Sequence, residues 1–468
     1  MAEDAKVARE AKLAQLLNQT FDHNNQISST PKIQRVPLFW RQKTSFYEYC
    51  IPKMISFGPI HHGNENLKQQ GQHLKSQWTS LYIEEYSKEV GPCNGNKQEA
   101  GNYLYGVVGD NIVELKELFA EDVIEGYNDE ELTWMLFEDG CSLLYYMDHV
   151  DAEHPEELKL KLDQLMYIGR DIPLLENQLP IKLLQLLSKT QGADLEYLIT
   201  NFMSMGEGKR SRMTTITIPI RNHILDFLRS SYFHTEIEQN VPNQNGGIQM
   251  PPPHPPPPPL PRPRSSLVRQ TYKNIRDLKK SGIQVKVNKS DEWKWHDITF
   301  TSRWFGGELT LPLLVFSSVT PYFFRNLIAY EVCPDFHNSF ECGYYLSFMD
   351  SLIDNAEDVK ELRLAGVIQN LVQSDEEVAK FFNDIGHDFP AKMCNQIYTT
   401  DAIPIRKKYI QVRHQIQQHY SSRWRTFLAE TRSTYFNSPW SLLAFLAALS
   451  GLILAVLQTW YTIHSPKN

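Results

Sequence analysis

Two histidines stand side by side in ISFGPIHHG, Ile55 to Gly63, between the turn pair Gly58-Pro59 and a further glycine, Gly63. Adjacent imidazoles suit a zinc centre or a proton-transfer site. A structural zinc site needs about four ligands and a catalytic one about three plus water. No cysteine or carboxylate stands at ligand spacing from His61 and His62. The stretch is read instead as a turn, with Gly58-Pro59 redirecting the backbone, Gly63 closing it and the imidazoles bonded locally. Two other places hold reactive side chains. Glu176, with Asn177 and Gln178, is a polar trio between proline-punctuated apolar stretches; it can hold a general base, but buried hydrogen bonds that fix a turn are the better reading. Asp139-Gly140-Cys141 offers a thiol with no base to activate it, which reads as a buried cysteine among leucines.

No recognisable catalytic motif accompanies these residues. The chain lacks G-x-x-x-x-G-K-[ST], G-x-S-x-G, H-E-x-x-H and a G-x-G-x-x-G after a strand, which removes the familiar enzyme classes. The expectation is therefore no enzyme, no cofactor and no metal.

The elements that must position these residues read as mainly α. Asp129, Glu130 and Glu131 place carboxylates on a first helical turn, where the helix dipole favours them, and Leu132, Leu136, Leu143 and Met147 follow at helical spacing. In DIPLLENQLPIKLLQLL, Pro180 opens a helix that carries Leu183, Leu184 and Leu187. Alternation of Ile283, Val285 and Val287, and of Leu309 and Leu311, predicts a small β element. Ser374 and Glu377 have capping-box spacing before Val378, Phe381 and Phe382. Between the two halves runs NVPNQNGGIQMPPPHPPPPPLPRPR, residues 240–264, a polyproline II linker or insertion. The parts expected are an N-terminal tail or helix (1–30), a helical part (31–239), the linker (240–264), a part with the β element and helices (265–432) and a transmembrane helix (440–463).

Charge narrows the partners. At 468 residues and a net charge of -8, the chain gives no reason to expect nucleic acid. From Glu114 to Glu157 fifteen carboxylates face only Lys116, which reads as a solvated helical surface. The six cysteines form no C-x-x-C pair, and the charged start MAEDAKVAREAKLAQLL is no signal peptide; both fit a reducing compartment. Asn18-Gln19-Thr20 and Asn288-Lys289-Ser290 match the glycosylation acceptor pattern.

The C-terminus carries the clearest physical signal. No charged residue lies between Arg432 and His464, and about 20 apolar helical residues span roughly 30 Å, the hydrocarbon thickness of a bilayer. Trp440 at one end, and Trp460 with Tyr461 at the other, are placed for the two interfaces. Arg423, Arg425 and Arg432 precede the segment and Lys467 alone follows, so the body is expected in the cytosol, on the plasma membrane or an endomembrane. Ala447, Gly451 and Ala455 form a small-residue stripe on which two copies can pack, giving a homo-oligomer.

YCIPKMISFGPIHHG, LFEDGCSLLYYM, DIPLLENQLPIKLL, FRNLIAYE, the run from YLSFMDSLIDNAEDVKELRLAGV to FFNDIG, and YFNSPWSLLAFLAALSGLILAVLQTWY occur in one order. In that order they resemble the plant family called domain of unknown function 247. The family's Glu before the lysine after the His-His motif is absent, where QQGQHLKSQW runs instead. The resemblance implies a mainly helical plant protein with a C-terminal membrane segment and no assigned reaction. Some grass relatives resemble self-incompatibility determinants, which implies recognition between proteins. The combined expectation is a membrane-tethered protein whose partners are the lipid bilayer and other proteins. The alternatives are an enzyme of unrecognised class, using Glu176 or the histidine pair, and a passive scaffold.

Overall fold

Asn128 begins the central helix by accepting from Glu131 N–H at 2.9 Å, while the Glu131 side chain accepts from Asn128 N–H at 3.1 Å. This reciprocal cap, with three acids on the first turn, starts the helix Asp129–His149. In the computed structural model the residues described are 31–89, 95–151, 154–189, 193–204, 222–233, 274–290, 294–303, 306–336, 340–388, 404–421 and 439–463. The N-terminal segment 1–30 and the proline-rich 240–264 lie outside them. Among the described residues the fold is mainly α with small sheets, as the periodicity predicts.

The chain divides into two units. Unit 1 comprises Met1–Leu195, Pro219–Phe227 and Ala329–Asn338; unit 2 comprises Glu196–Ile218, Leu228–Ile328 and Ser339–Asn468. Unit 1 is built on α1 (Glu65–Glu89), α2 (Lys97–Asp110), α3 (Asp129–His149), α4 (Leu162–Asp171) and α5 (Ile181–Leu187). Helices α1, α2 and α5 all pack on α3. That surrounds α3, and its residues from Met135 to Met147 are almost all buried except Glu138. A Cβ at Gly140 would collide with the Leu187 side chain, so glycine lets α5 approach α3 closely.

Unit 2 holds the strands. β1 (Ile283–Val287) pairs parallel with β3 (Gly306–Leu311), Ile283 opposite Gly307, and β2 (Thr299–Arg303) pairs antiparallel with β3, Thr299 opposite Thr310. The sheet order is β1-β3-β2. The short strands β4 (Leu314–Phe316) and β5 (Ile368–Asn370) pair parallel in a second sheet. Around them pack α6 (Ile275–Lys280), α7 (Glu341–Asp350), α8 (Ala356–Leu364), α9 (Asp375–Asp388) and α10 (Pro404–Tyr420). Glu377 N–H donates to Ser374 Oγ at 3.2 Å, so the expected cap opens α9. An aromatic core centres on Trp295, whose ring stacks on Tyr232 at 4.2 Å and on Tyr345 at 5.4 Å.

The last helix, α11 (Pro439–Ile463), is set apart by its surface. Its window Leu443–Trp460 is long and apolar enough to cross a membrane, and none of it is buried. The side chains of Trp440 and Tyr461 lie outside the described ones, while Trp460 is exposed.

Candidate functional site

The turn in ISFGPIHHG forms as expected, and unit 1 converges on it. Gly58 has φ +73°, the left-handed region, and a Cβ there would lie 2.9 Å from the Gln178 carbonyl oxygen; both favour glycine. Pro59 accepts from the Tyr127 hydroxyl at 3.1 Å. Gly63 has open space where a Cβ would stand, so sterics make no demand there.

Three side chains from far along the chain pin the backbone that leads into this turn. Asp171 accepts from the N–H groups of Lys53, Met54 and Ile55 at 2.6 to 3.0 Å. Asn177 Oδ1 accepts from Phe57 N–H at 2.6 Å, and its amide donates to the carbonyls of Ile55 and Asp171 at 3.2 and 2.8 Å. Asp139 Oδ2 accepts from Gly58 N–H at 2.8 Å, while Oδ1 accepts from Lys75 Nζ at 2.6 Å. Lys75 also donates to the Ser56 carbonyl at 3.1 Å. Gln178 works on the neighbouring chain: its amide donates to the Ile172 and Leu174 carbonyls at 2.7 Å, and Oε1 accepts from Leu225 N–H at 3.0 Å.

Glu176 is the meeting point of the two sequence candidates. Its Oε1 accepts from Val36 N–H at 2.8 Å and lies 3.2 Å from Arg41 Nη2. Its Oε2 lies 3.1 Å from His61 Nε2. The two atoms stand within ion-pair distance, yet His61 Nε2 makes no hydrogen bond. The expectation of locally bonded imidazoles is thereby corrected. His61 faces Glu176, and His62 sets its ring edge-on to Tyr127 with centroids 6.2 Å apart. Spacing along a chain cannot show such tertiary partners.

The electrostatics follow from burial. Burial lowers the His62 pKa, with Asp139 opposing and Lys75 assisting. Burial raises Asp139 against the pull of Lys75. It lifts Asp171 to about 6, although the three backbone donors favour the charged form. The Cys141 thiol, fully buried beside this network, is pushed up by burial alone. A thiol in that state has little nucleophilic thiolate at neutral pH. The carboxylates of Asp139, Asp171 and Glu176 are each engaged as acceptors or ion partners, so the arrangement holds a chain segment in place.

The sequence reading missed the roles of Asp171, Lys75 and Arg41. The first two stand in quoted motifs, so a buried-acid signal was present but its partner was not legible. It also missed a second cluster. Ligand atoms of Glu85, Asp148 and His149 lie within 4.8 Å of one another, a grouping able to hold a cation. Lys189 Nζ already stands there, 2.6 Å from Glu85, 3.6 Å from Glu89 and 3.9 Å from Asp148. The acidic surface is likewise partly paired, from outside its own run by Lys182 on Glu114 and Arg35 on Asp122, and from within it by Lys116 on Asp129.

Comparison with known proteins agrees with the motif order. The family model DUF247, described as a plant protein of unknown function, matches residues 33–454. The UPF0481 protein At3g47200 of Arabidopsis thaliana is 27% identical over 434 residues, covering 89% of this chain and 83% of that protein. The putative UPF0481 protein At3g02645 of the same plant is 28% identical over 195 residues, covering 42% of this chain and 34% of that protein. No solved structure matches.

Proposed function

The chain belongs to the DUF247 family of plant proteins, and from that premise we propose that it is a membrane-tethered protein acting through recognition of other proteins. The observation that carries the tether is α11, an apolar helix of 25 residues with none of its Leu443–Trp460 window buried. Exposing that much apolar surface to water is unfavourable by about 25 cal/mol per Å², whereas a bilayer removes the cost. The helix is then a single-pass tail anchor with the body in the cytosol. Support for recognition over catalysis comes from Asp171, Asn177 and Asp139, whose side chains are engaged in fixing the Lys53–Gly58 backbone. Partners in this reading are the bilayer and other proteins, with a second copy as a further partner along Ala447, Gly451 and Ala455.

The test is fractionation from plant membranes. Full-length protein is expected to resist carbonate extraction, and a chain ending at Arg432 to be soluble. Carbonate-soluble full-length protein would remove the tether. Affinity capture of the tethered chain should then recover protein partners that the empty membrane does not.

A second reading has one observation in its favour, the approach of His61 Nε2 to the buried Glu176 carboxylate. If that pair moves protons in a reaction, His61→Ala should abolish a turnover while leaving folding intact.

A further inference from the structure

Leu38, Phe39 and Tyr47 are 71%, 56% and 64% exposed, while Trp40 and Phe46 between them are buried. The exposed side chains stand on two consecutive short helices, Leu38–Arg41 and Thr44–Tyr49. Neither helix is loose. Val36 N–H and Arg41 are tied to Glu176, Lys43 Nζ lies 4.1 Å from the Trp40 ring centre, and Lys53 Nζ donates to the Tyr47 carbonyl at 2.7 Å.

Along the sequence the charge here runs against that of the whole chain, with Asp122 pairing Arg35 and Glu176 pairing Arg41 in the structure. From Lys32 to Lys53 stand Lys32, Arg35, Arg41, Lys43 and Lys53 with the single acid Glu48, in a chain of net charge -8. Apolar and aromatic side chains with lysines close along the chain, on an otherwise acidic protein, complement an anionic lipid headgroup surface. Such a surface admits the apolar groups, attracts the basic ones and turns the acidic remainder away. We propose that the segment Leu38–Tyr47 docks on the anionic leaflet of the membrane that α11 enters.

This proposal rests on the tether reading. Residues 422–438 separate the described end of α10 from α11. At about 3.5 Å per residue they reach at most roughly 60 Å, so that end of the body stays near the bilayer.

Hydrogen exchange on the full chain separates the two readings. The chain is placed in phosphatidylserine-containing nanodiscs, in neutral phosphatidylcholine nanodiscs and in detergent. Co-elution with discs tests the tether; a chain that fails to co-elute overturns both ideas. Given co-elution, exchange over residues 36–49 is expected to slow by about tenfold in anionic discs relative to detergent, and by less in neutral discs. The double variant Leu38→Ser, Phe39→Ser changes only exposed side chains, and should lose that protection while still co-eluting. Equal exchange in discs and detergent overturns the docking and leaves the tether standing. Protection as strong in detergent means that protein covers the patch, and equal protection in neutral discs rejects the anionic leaflet; either result overturns the proposal.

Discussion

Lys75 and Asp139 form an ion pair that almost no water reaches, with 3% and 1% of their side-chain surfaces exposed. Such a pair is weak evidence for net stability, but removing one partner strands a buried charge. Lys75→Met is therefore expected to lose about 3–5 kcal/mol in denaturant unfolding. The double variant Lys75→Met, Asp139→Leu should recover only part of this, because Gly58 N–H then loses its acceptor. A buried histidine supplies a pH signature. His223 Nδ1 accepts from Asp226 N–H at 3.2 Å at the start of the helix Ile224–Phe233, and burial holds its pKa at about 4, below the ordinary 6.5. A depressed value means stability that is present above pH 6.5 and lost as pH falls through 4, worth about 3 kcal/mol in full. Asp171, raised from 3.8 to about 6, has the opposite sign: its contribution is present below 3.8 and lost as pH rises through 6. Replacing His223→Asn keeps a cap and removes the titration. Its unfolding midpoint should fall less than that of the natural chain between pH 6.5 and 4, whereas Asp171→Asn should steepen the fall.

At the level of elements, α3 tests propensity against packing. Replacing Gly140 by Ala raises intrinsic helix propensity by about 1 kcal/mol. The added methyl collides with Leu187, and overpacking costs about 1–3 kcal/mol. Net destabilisation is the expected outcome, read from thermal unfolding; a stabilised variant would mean that α5 shifts away freely. Asn128→Ala removes the cap acceptor of the same helix and should cost about 1 kcal/mol. This helix was legible in the sequence because both of its signals are local, the acidic first turn and the leucine spacing, whereas its Asn128 cap was seen only in the structure. β2 was not legible, since four of its five residues are exposed and no alternation marks it. β4 and β5 are three residues each and pair across the intervening helices, so nothing nearby announces them. The candidate site divides in the same way. The Gly58-Pro59 turn is a local property and was readable, whereas the engagement of Glu176, Asp139 and Asp171 with it is tertiary and was not.

For the molecule as a whole, the proposed tether makes a claim about orientation, and the chain contains its own reporter for it. Arg423, Arg425 and Arg432 flank one end of the apolar segment and Lys467 the other; a positive excess on the body side retains that side in the cytosol. Asn288-Lys289-Ser290 follows β1 and carries the acceptor pattern for N-glycosylation, a modification made only on the lumenal side. Lys289 and Ser290 are exposed and Asn288 is half-buried, so an oligosaccharide could be attached there after translocation. With a cytosolic body, Asn288 stays unmodified and endoglycosidase leaves the mobility of the chain unchanged. In a separate tagged chain, an acceptor added after Asn468 should be modified, and endoglycosidase should then shift its mobility. A glycosylated Asn288 with an unmodified tag would invert the orientation, and would also move the basic Lys32–Lys53 surface to the lumenal leaflet.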